Sequence, residues 1–359
     1  MTAPPPQTRR TALAALLWLA VYLLAVTVPL FALLPGSAPG RGFAWDFSMA
    51  LGYAGLAMLG VQFALTARFR RATAPFGIDI VYYFHRYLAV FALAVIAGHY
   101  AMLRAMHPEA LGTADPSSAP AHMTAGRAAL ALFAVVVGIA LLRRRFDLEY
   151  DRWRFVHALL ATTAFALALW HLHGAGRFLE TAWKQWLWGV YGAFWVALIL
   201  YVRFVRPAQA TARPWTVVDV RPERGQVWTL ALEPSSGQPL RFAPGQFAWL
   251  TLRASPFAMR EHPFSIASSA ERGGRIEVSI KSLGDFTSTI SDIKPGETAW
   301  IDAPYGTFSI DDAPDAAGYA FVAGGIGAAP IMSMLRTLAD RGDRRPLVLF
   351  YGNRVWDRV

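Results

Sequence analysis

Cysteine is absent from all 359 residues. Disulfide scaffolds, zinc–thiolate sites, iron–sulfur clusters and thiol catalysis are therefore excluded. Any metal or haem centre must be built from His, carboxylate or Met. Charge is scarce too. Only 16% of the residues are Asp, Glu, Lys or Arg, against about 25% in an ordinary soluble domain. Apolar residues are abundant instead, at 55% of the chain, with mean hydropathy +0.33. That excess excludes disorder and a purely soluble protein.

The apolar residues are concentrated in six runs. Thr11–Leu34 and Phe47–Ala67 carry no charge, and neither do Phe155–Gly176 and Trp186–Val202. Ile80–Leu103 contains only Arg86 and Ala121–Leu142 only Arg127. A bilayer core of ~30 Å needs about 20 helical residues, so six transmembrane helices ending near Arg206 are expected. Arg9 and Arg10 precede the first run, as they would in a signal peptide. That run exceeds the usual h-region and five more follow, so a retained helix is expected.

The net charge of +10 is largely a topology signal. Thirteen basic residues, among them Arg68, Arg70 and Arg143–Arg145, collect on one side of the spans, against five on the other. The positive-inside rule puts the first side, the N-terminus and everything after Arg206 in the cytoplasm. The reading is a multi-pass protein of a bacterial inner membrane, with the lipid bilayer as partner and no nucleic acid.

Residues 207–359 are patterned differently. Short β-rich runs recur at Thr216–Val220, Val227–Leu232, Phe247–Leu252, Ile276–Lys281 and Ala299–Asp302, separated by Gly and Pro turns. An antiparallel β-barrel or sandwich is expected there. After Pro314 a strand (Tyr319–Ala323), a Gly-rich turn, a helix (Ala328–Ala339) and a second strand (Pro346–Tyr351) make one β–α–β unit. The expected domains are 1–206 in the membrane, 207–313 as the β domain and 314–359 as the start of a partial, truncated α/β domain.

Four of the eight His stand inside the spans in two matched pairs. His85 and His99 are 14 residues apart in the third span, and His157 and His171 are 14 apart in the fifth. Fourteen residues fall roughly 40° short of four full turns and rise about 21 Å, so each pair lies on one helix face at two depths. Both helices run in the same direction. Two facing helices thus offer one imidazole each at two levels, the geometry needed to hold two haems with two axial imidazoles apiece. A single intramembrane His is often just hydrogen-bonded to a neighbouring helix. Four with matched spacing favour haem, because polar groups in lipid are costly. His107, His122 and His173 read as loop or outer-edge residues, and Arg86 and Arg154 as topology determinants.

Four short segments follow in order: His262-Pro263-Phe264-Ser265, then Gly284-Asp285-Phe286-Thr287, then Asp302-Ala303-Pro304-Tyr305-Gly306, and finally Gly324-Gly325-Ile326-Gly327-Ala328-Ala329-Pro330. With these the chain resembles the ferric reductase and NADPH oxidase family over nearly its whole length. The resemblance implies a six-helix di-haem membrane domain, a ferredoxin-reductase-type FAD domain and an NAD(P)-binding domain. It implies that His262 approaches the flavin diphosphate with Pro263 beside it, that Phe264 packs on the isoalloxazine and that Ser265 hydrogen-bonds near N5. Gly284, Phe286 and Thr287 would offer backbone N–H groups to the diphosphate. Gly324, Gly325, Gly327 and Pro330 would form the nicotinamide dinucleotide turn at a helix N-terminus. Many family members have Thr where Ala329 stands. Arg354 is either a 2′-phosphate contact or a solvated loop residue.

The implied function is transmembrane electron transfer from cytoplasmic NAD(P)H through FAD and two haem b to an extracytoplasmic acceptor. The acceptor is a ferric chelate or oxygen, and the absence of an EF-hand loop inclines the reading to the ferric chelate. Two other classes stay open. One is a haem-containing electron-carrier subunit feeding a periplasmic protein. The other is a haem-free, membrane-tethered flavin reductase.

Overall fold

The computed structural model describes residues 6–36, 40–70 and 76–353, with the side chains of 6–11 excepted. The chain divides into two compact units, one of residues 1–72 and 79–202, which holds the spans, and one of residues 203–359 together with the short stretch 73–78.

Among the described residues, six helices are long and apolar enough to cross a bilayer. They are α1 (Pro6–Phe31), α2 (Phe43–Thr66), α3 (Ile78–Met106), α4 (Ala121–Leu142), α5 (Tyr150–Ala175) and α6 (Ala182–Leu200). Each coincides with one of the expected apolar runs. Large apolar side chains such as Leu16, Phe91, Leu159 and Trp186 lie exposed along them, as the lipid-facing side of a bundle requires. The bundle core is aromatic: Trp188 and Phe165 are fully buried, and Tyr53 packs edge-on against Trp188. Asp79 and Asp151 stand in the first turns of α3 and α5, where a negative charge favours the helix dipole. Gly176 closes α5 in the left-handed conformation, its N–H donating to the Leu172 carbonyl, a common helix stop. Lys184, one of the five basic residues counted on the outer side, is 2% exposed. Its ammonium donates to the Leu33 carbonyl at 2.6 Å and so ties the end of α1 to the start of α6.

The second unit begins with a six-stranded antiparallel sheet in the order β4-β3-β6-β1-β2-β5. Its strands are β1 (Trp215–Glu223), β2 (Val227–Pro234), β3 (Phe247–Leu252), β4 (His262–Ser265), β5 (Ile276–Lys281) and β6 (Thr298–Tyr305). Period-two patterning builds it. Ile276, Val278 and Ile280 of β5 are buried while Glu277, Ser279 and Lys281 alternate outward. A barrel was expected, and the outer strands do approach each other. Ile266, just past β4, bridges Val278 of β5, and the Ala267 N–H reaches the Glu277 carbonyl. A single bridge joins the two outer strands there. The chain leaves β4 after four residues, and the Ser268 hydroxyl accepts the Glu277 N–H in place of a further strand partner.

The parallel strands β7 (Tyr319–Gly324) and β8 (Leu347–Gly352), joined through α7 (Ala328–Asp340), form the β–α–β unit. Polar contacts seat α7 on the sheet. The Ser333 hydroxyl donates to the Ser268 carbonyl at 2.7 Å, and Thr337 accepts the Ala270 N–H at 2.9 Å. Arg336 and Arg221 grip opposite oxygens of Glu277, each at 2.8 Å. Burial works to raise the Glu277 pKa, but the two guanidiniums outweigh it and hold the carboxyl below its ordinary range.

Glu277→Gln is expected to destabilise the second unit by about 1.5–3 kcal/mol, the worth of hydrogen bonds to a charged group. Since the folded pKa is lowered, the stabilisation is complete above the ordinary carboxyl value and is lost as pH falls through the folded one. In urea unfolding followed by tryptophan fluorescence, wild type and variant should differ at pH 7 and converge in acid. Equal midpoints at pH 7 would contradict this.

Candidate functional site

The four intramembrane histidines occupy equivalent places in α3 and α5. His85 and His157 are each the eighth residue of their helix, and His99 and His171 each the twenty-second. The first two are brought together, with ring centroids 6.4 Å apart and planes inclined at 71°. Two imidazole–metal bonds of about 2.0 Å, with about 1.1 Å more from each ligating nitrogen to its ring centre, would separate axial rings by about 6.2 Å. The observed spacing therefore fits one metal between the rings. Trp153 packs at 5.2 Å on His157, and the Arg143 guanidinium lies over Trp153. The Nδ1 of His85 is buried without a hydrogen-bond partner among the described residues.

The other two histidines make no such ring contact. Each leans on the helix beside it. His99 Nδ1 is 2.8 Å from the Ser48 carbonyl of α2 and 3.1 Å from the Ser48 hydroxyl. His171 Nδ1 is 3.0 Å from the His122 carbonyl of α4. A proton held on Nδ1 by a carbonyl leaves the Nε2 lone pair free, the arrangement common to histidine metal ligands. The His122 ring, expected at the outer edge, stacks on His171 at 6.5 Å. His173 is exposed and turns back to the Leu169 carbonyl of its own helix. Among the described residues no three His, Asp or Glu side chains converge on one point.

In the second unit, β4 places the expected flavin residues. Phe264 pairs with Ala248 and Ser265 with Phe247 of β3, and Pro263 sits on the sheet's outermost strand, where its missing N–H costs no ladder bond. The His262 ring stacks on Phe286 at 3.9 Å and 17°, and Phe264 lies 6.1 Å from the same ring. Ser265 is half-buried. Gly284 departs from expectation. Its N–H and that of Leu283 both donate to the Thr287 hydroxyl at 2.9 Å, which closes the turn on itself. One cluster was not read in advance. Arg206 binds Asp302 at 2.8 Å, and the Tyr305 hydroxyl donates to the same carboxylate at 2.9 Å. The Asp302-x-x-Tyr305 spacing was its signal.

At the glycine-rich turn, Gly324 ends β7 opposite Gly352 of β8, Gly325 has φ +50°, and Gly327 precedes α7, whose third residue is Pro330. The first turn of α7 has no side-chain cap and no acidic residue, so its N–H groups suit a phosphate. Ala329 is buried. Arg354 lies outside the described residues.

A bundle of six apolar helices thus precedes a six-stranded antiparallel sheet and a β–α–β unit. Three family models match in that order. They are the ferric reductase-like transmembrane component over residues 51–169, an FAD-binding domain over 200–308 and an oxidoreductase NAD-binding domain over 321–359. By these matches the chain is similar to the ferric reductase-like family over its membrane segment and to FAD- and NAD-binding oxidoreductase domains beyond it. Curated relatives include the reductase component of propane 2-monooxygenase from Rhodococcus jostii, 30% identical over 39% of this chain and 37% of that one. The gamma subunit of sulfhydrogenase 2 from Pyrococcus furiosus is 31% identical over 33% of this chain and 39% of its own. The chain thus spans well under half the length of either. Among solved structures, phthalate dioxygenase reductase is 23% identical with TM-score 0.38, covering 43% of this chain and 47% of that chain.

His262→Ala removes the ring stacked on Phe286. With such pairs worth about 0.5–1.5 kcal/mol, FAD affinity is expected to fall roughly 2–10-fold in a fluorescence titration. Unchanged affinity would remove His262 from the flavin site.

Proposed function

We propose that the protein carries electrons across a bacterial inner membrane, from cytoplasmic NAD(P)H through FAD and two haem b to an extracytoplasmic acceptor. The observation that carries this reading is the matched placement of four imidazoles, with His85 and His157 at a spacing that admits one iron. On this reading residues 1–206 are the di-haem domain, 207–313 the FAD domain and 314–359 the NAD(P) portion. His85 with His157 would hold the inner haem, and His99 with His171 the outer one.

When bound, FAD accepts a hydride as an electron pair and passes electrons singly to haem iron. The chain's own residues bind and orient. The N–H groups of the Gly324–Ala329 turn would receive the dinucleotide phosphates. Phe264, Ser265 and the His262–Phe286 stack line the flavin edge. The 14-residue spacing holds the imidazole levels about 21 Å apart along each helix, most of a ~30 Å hydrocarbon core. A negative charge leaving an inside-negative cell moves with the field, by ~2.3 kcal/mol per 100 mV. No acid–base side chain is needed along that route. A ferric chelate is favoured as acceptor, with oxygen as the alternative.

One observation favours a second reading. Buried Ala329 puts a methyl where related chains carry a hydroxyl at the nucleotide turn, which fits a carrier subunit that takes electrons from elsewhere. Anaerobic absorption spectra before and after NAD(P)H separate the readings. The proposal expects a b-type Soret band that shifts to its reduced position once NADPH or NADH is added. Haem that only dithionite reduces selects the carrier subunit, and no Soret band at all selects a haem-free flavin reductase. His85→Leu and His171→Leu should each halve the haem content roughly, and a full complement in both would contradict the ligand assignment.

A further inference from the structure

The two outer histidines are seated by the same device on two different helices. His99 Nδ1 meets the carbonyl of residue 48 on α2, and His171 Nδ1 meets the carbonyl of residue 122 on α4. In both cases the residue four positions further along the accepting helix is glycine, Gly52 and Gly126. An α-helical carbonyl points at the N–H of the residue four ahead, so the side chain at that position crowds any third group approaching the same oxygen.

The crowding is measurable. A Cβ at Gly126 would stand 2.6 Å from His171 Nδ1 and 2.7 Å from its Cγ, and one at Gly52 would stand 3.2 Å from His99 Nδ1. The first approach is impossible without moving the ring, and the second forces a small retreat. Gly138, on the same α4, has nothing within 4 Å of such a Cβ, so close approach is not a general property of that helix. The inner level is built otherwise, since His85 Nδ1 is buried without a hydrogen-bond partner among the described residues.

We infer that Gly52 and Gly126 are positioning residues for the outer histidine pair: lacking Cβ, they let a neighbouring-helix carbonyl hold Nδ1 and present Nε2 to the metal. The inference rests on the proposed haem reading. It adds an asymmetry between the two levels. A carbonyl on Nδ1 makes the imidazole a stronger donor, which favours the oxidised metal and lowers its potential. The two glycines therefore tune the outer site downward and leave the inner site untouched.

Spectropotentiometry and electron paramagnetic resonance of the purified full chain test this with Gly52→Ala, Gly126→Ala and the control Gly138→Ala. Both Gly52→Ala and Gly126→Ala should raise the midpoint of the same one of two haems and alter its low-spin signal. The change should be larger in Gly126→Ala, up to conversion to high spin, and the other haem and Gly138→Ala should match wild type. Where Gly126→Ala yields no folded protein, Gly52→Ala, the smaller intrusion, decides alone. Wild-type midpoints and signals in both variants, or an equal shift in Gly138→Ala, would overturn the inference while the haem reading stands. A wild-type protein without haem would overturn both.

Discussion

An imidazole inside a bilayer has two nitrogens and no water to satisfy them, and that constraint shapes the membrane half of this protein. An unpaired polar group in hydrocarbon costs several kcal/mol. Ser48 and His122 answer that cost for one nitrogen of His99 and His171 with backbone carbonyls from the neighbouring helices. The second nitrogen of each, together with the buried Nδ1 of His85, is left to a ligand. On the proposed reading that ligand is haem iron, and the helices are spaced by what lies between them as much as by what touches.

The second unit solves a different problem. A sheet whose ends meet through a single bridge must still hold a β–α–β unit against it. It does so with charge and backbone contacts: Glu277 lies between Arg221 and Arg336, and Ser268 and Ala270 meet Ser333 and Thr337. These contacts leave β4 and the Gly324–Gly327 turn to their own chemistry. The polar weight lies on one seam, and the aromatic rings of His262, Phe264 and Phe286 gather on another.

Much of this was legible in the sequence. The six spans emerged within a few residues, because a helix in lipid must be apolar along its whole length and nothing in a loop imitates that signal. The 14-residue spacings already placed the histidines on common faces. β3 and β5 appeared with their bounds unchanged, since period-two burial is local. Interactions set by tertiary approach were hidden. Backbone carbonyls leave no mark in a sequence, so the roles of Ser48, His122, Gly52 and Gly126 could not be read. Lys184 looked like a loop charge because its partner, the Leu33 carbonyl, is 151 residues away. Strand alternation likewise does not reveal where the chain leaves β4.

The central claim is that two irons sit at two levels of one bundle, each between a pair of imidazoles. The pyridine haemochrome assay on the folded, detergent-purified chain measures this most directly, with protein quantified on the same sample. The account predicts two haem b per polypeptide. A value well below two in fully loaded protein would contradict it.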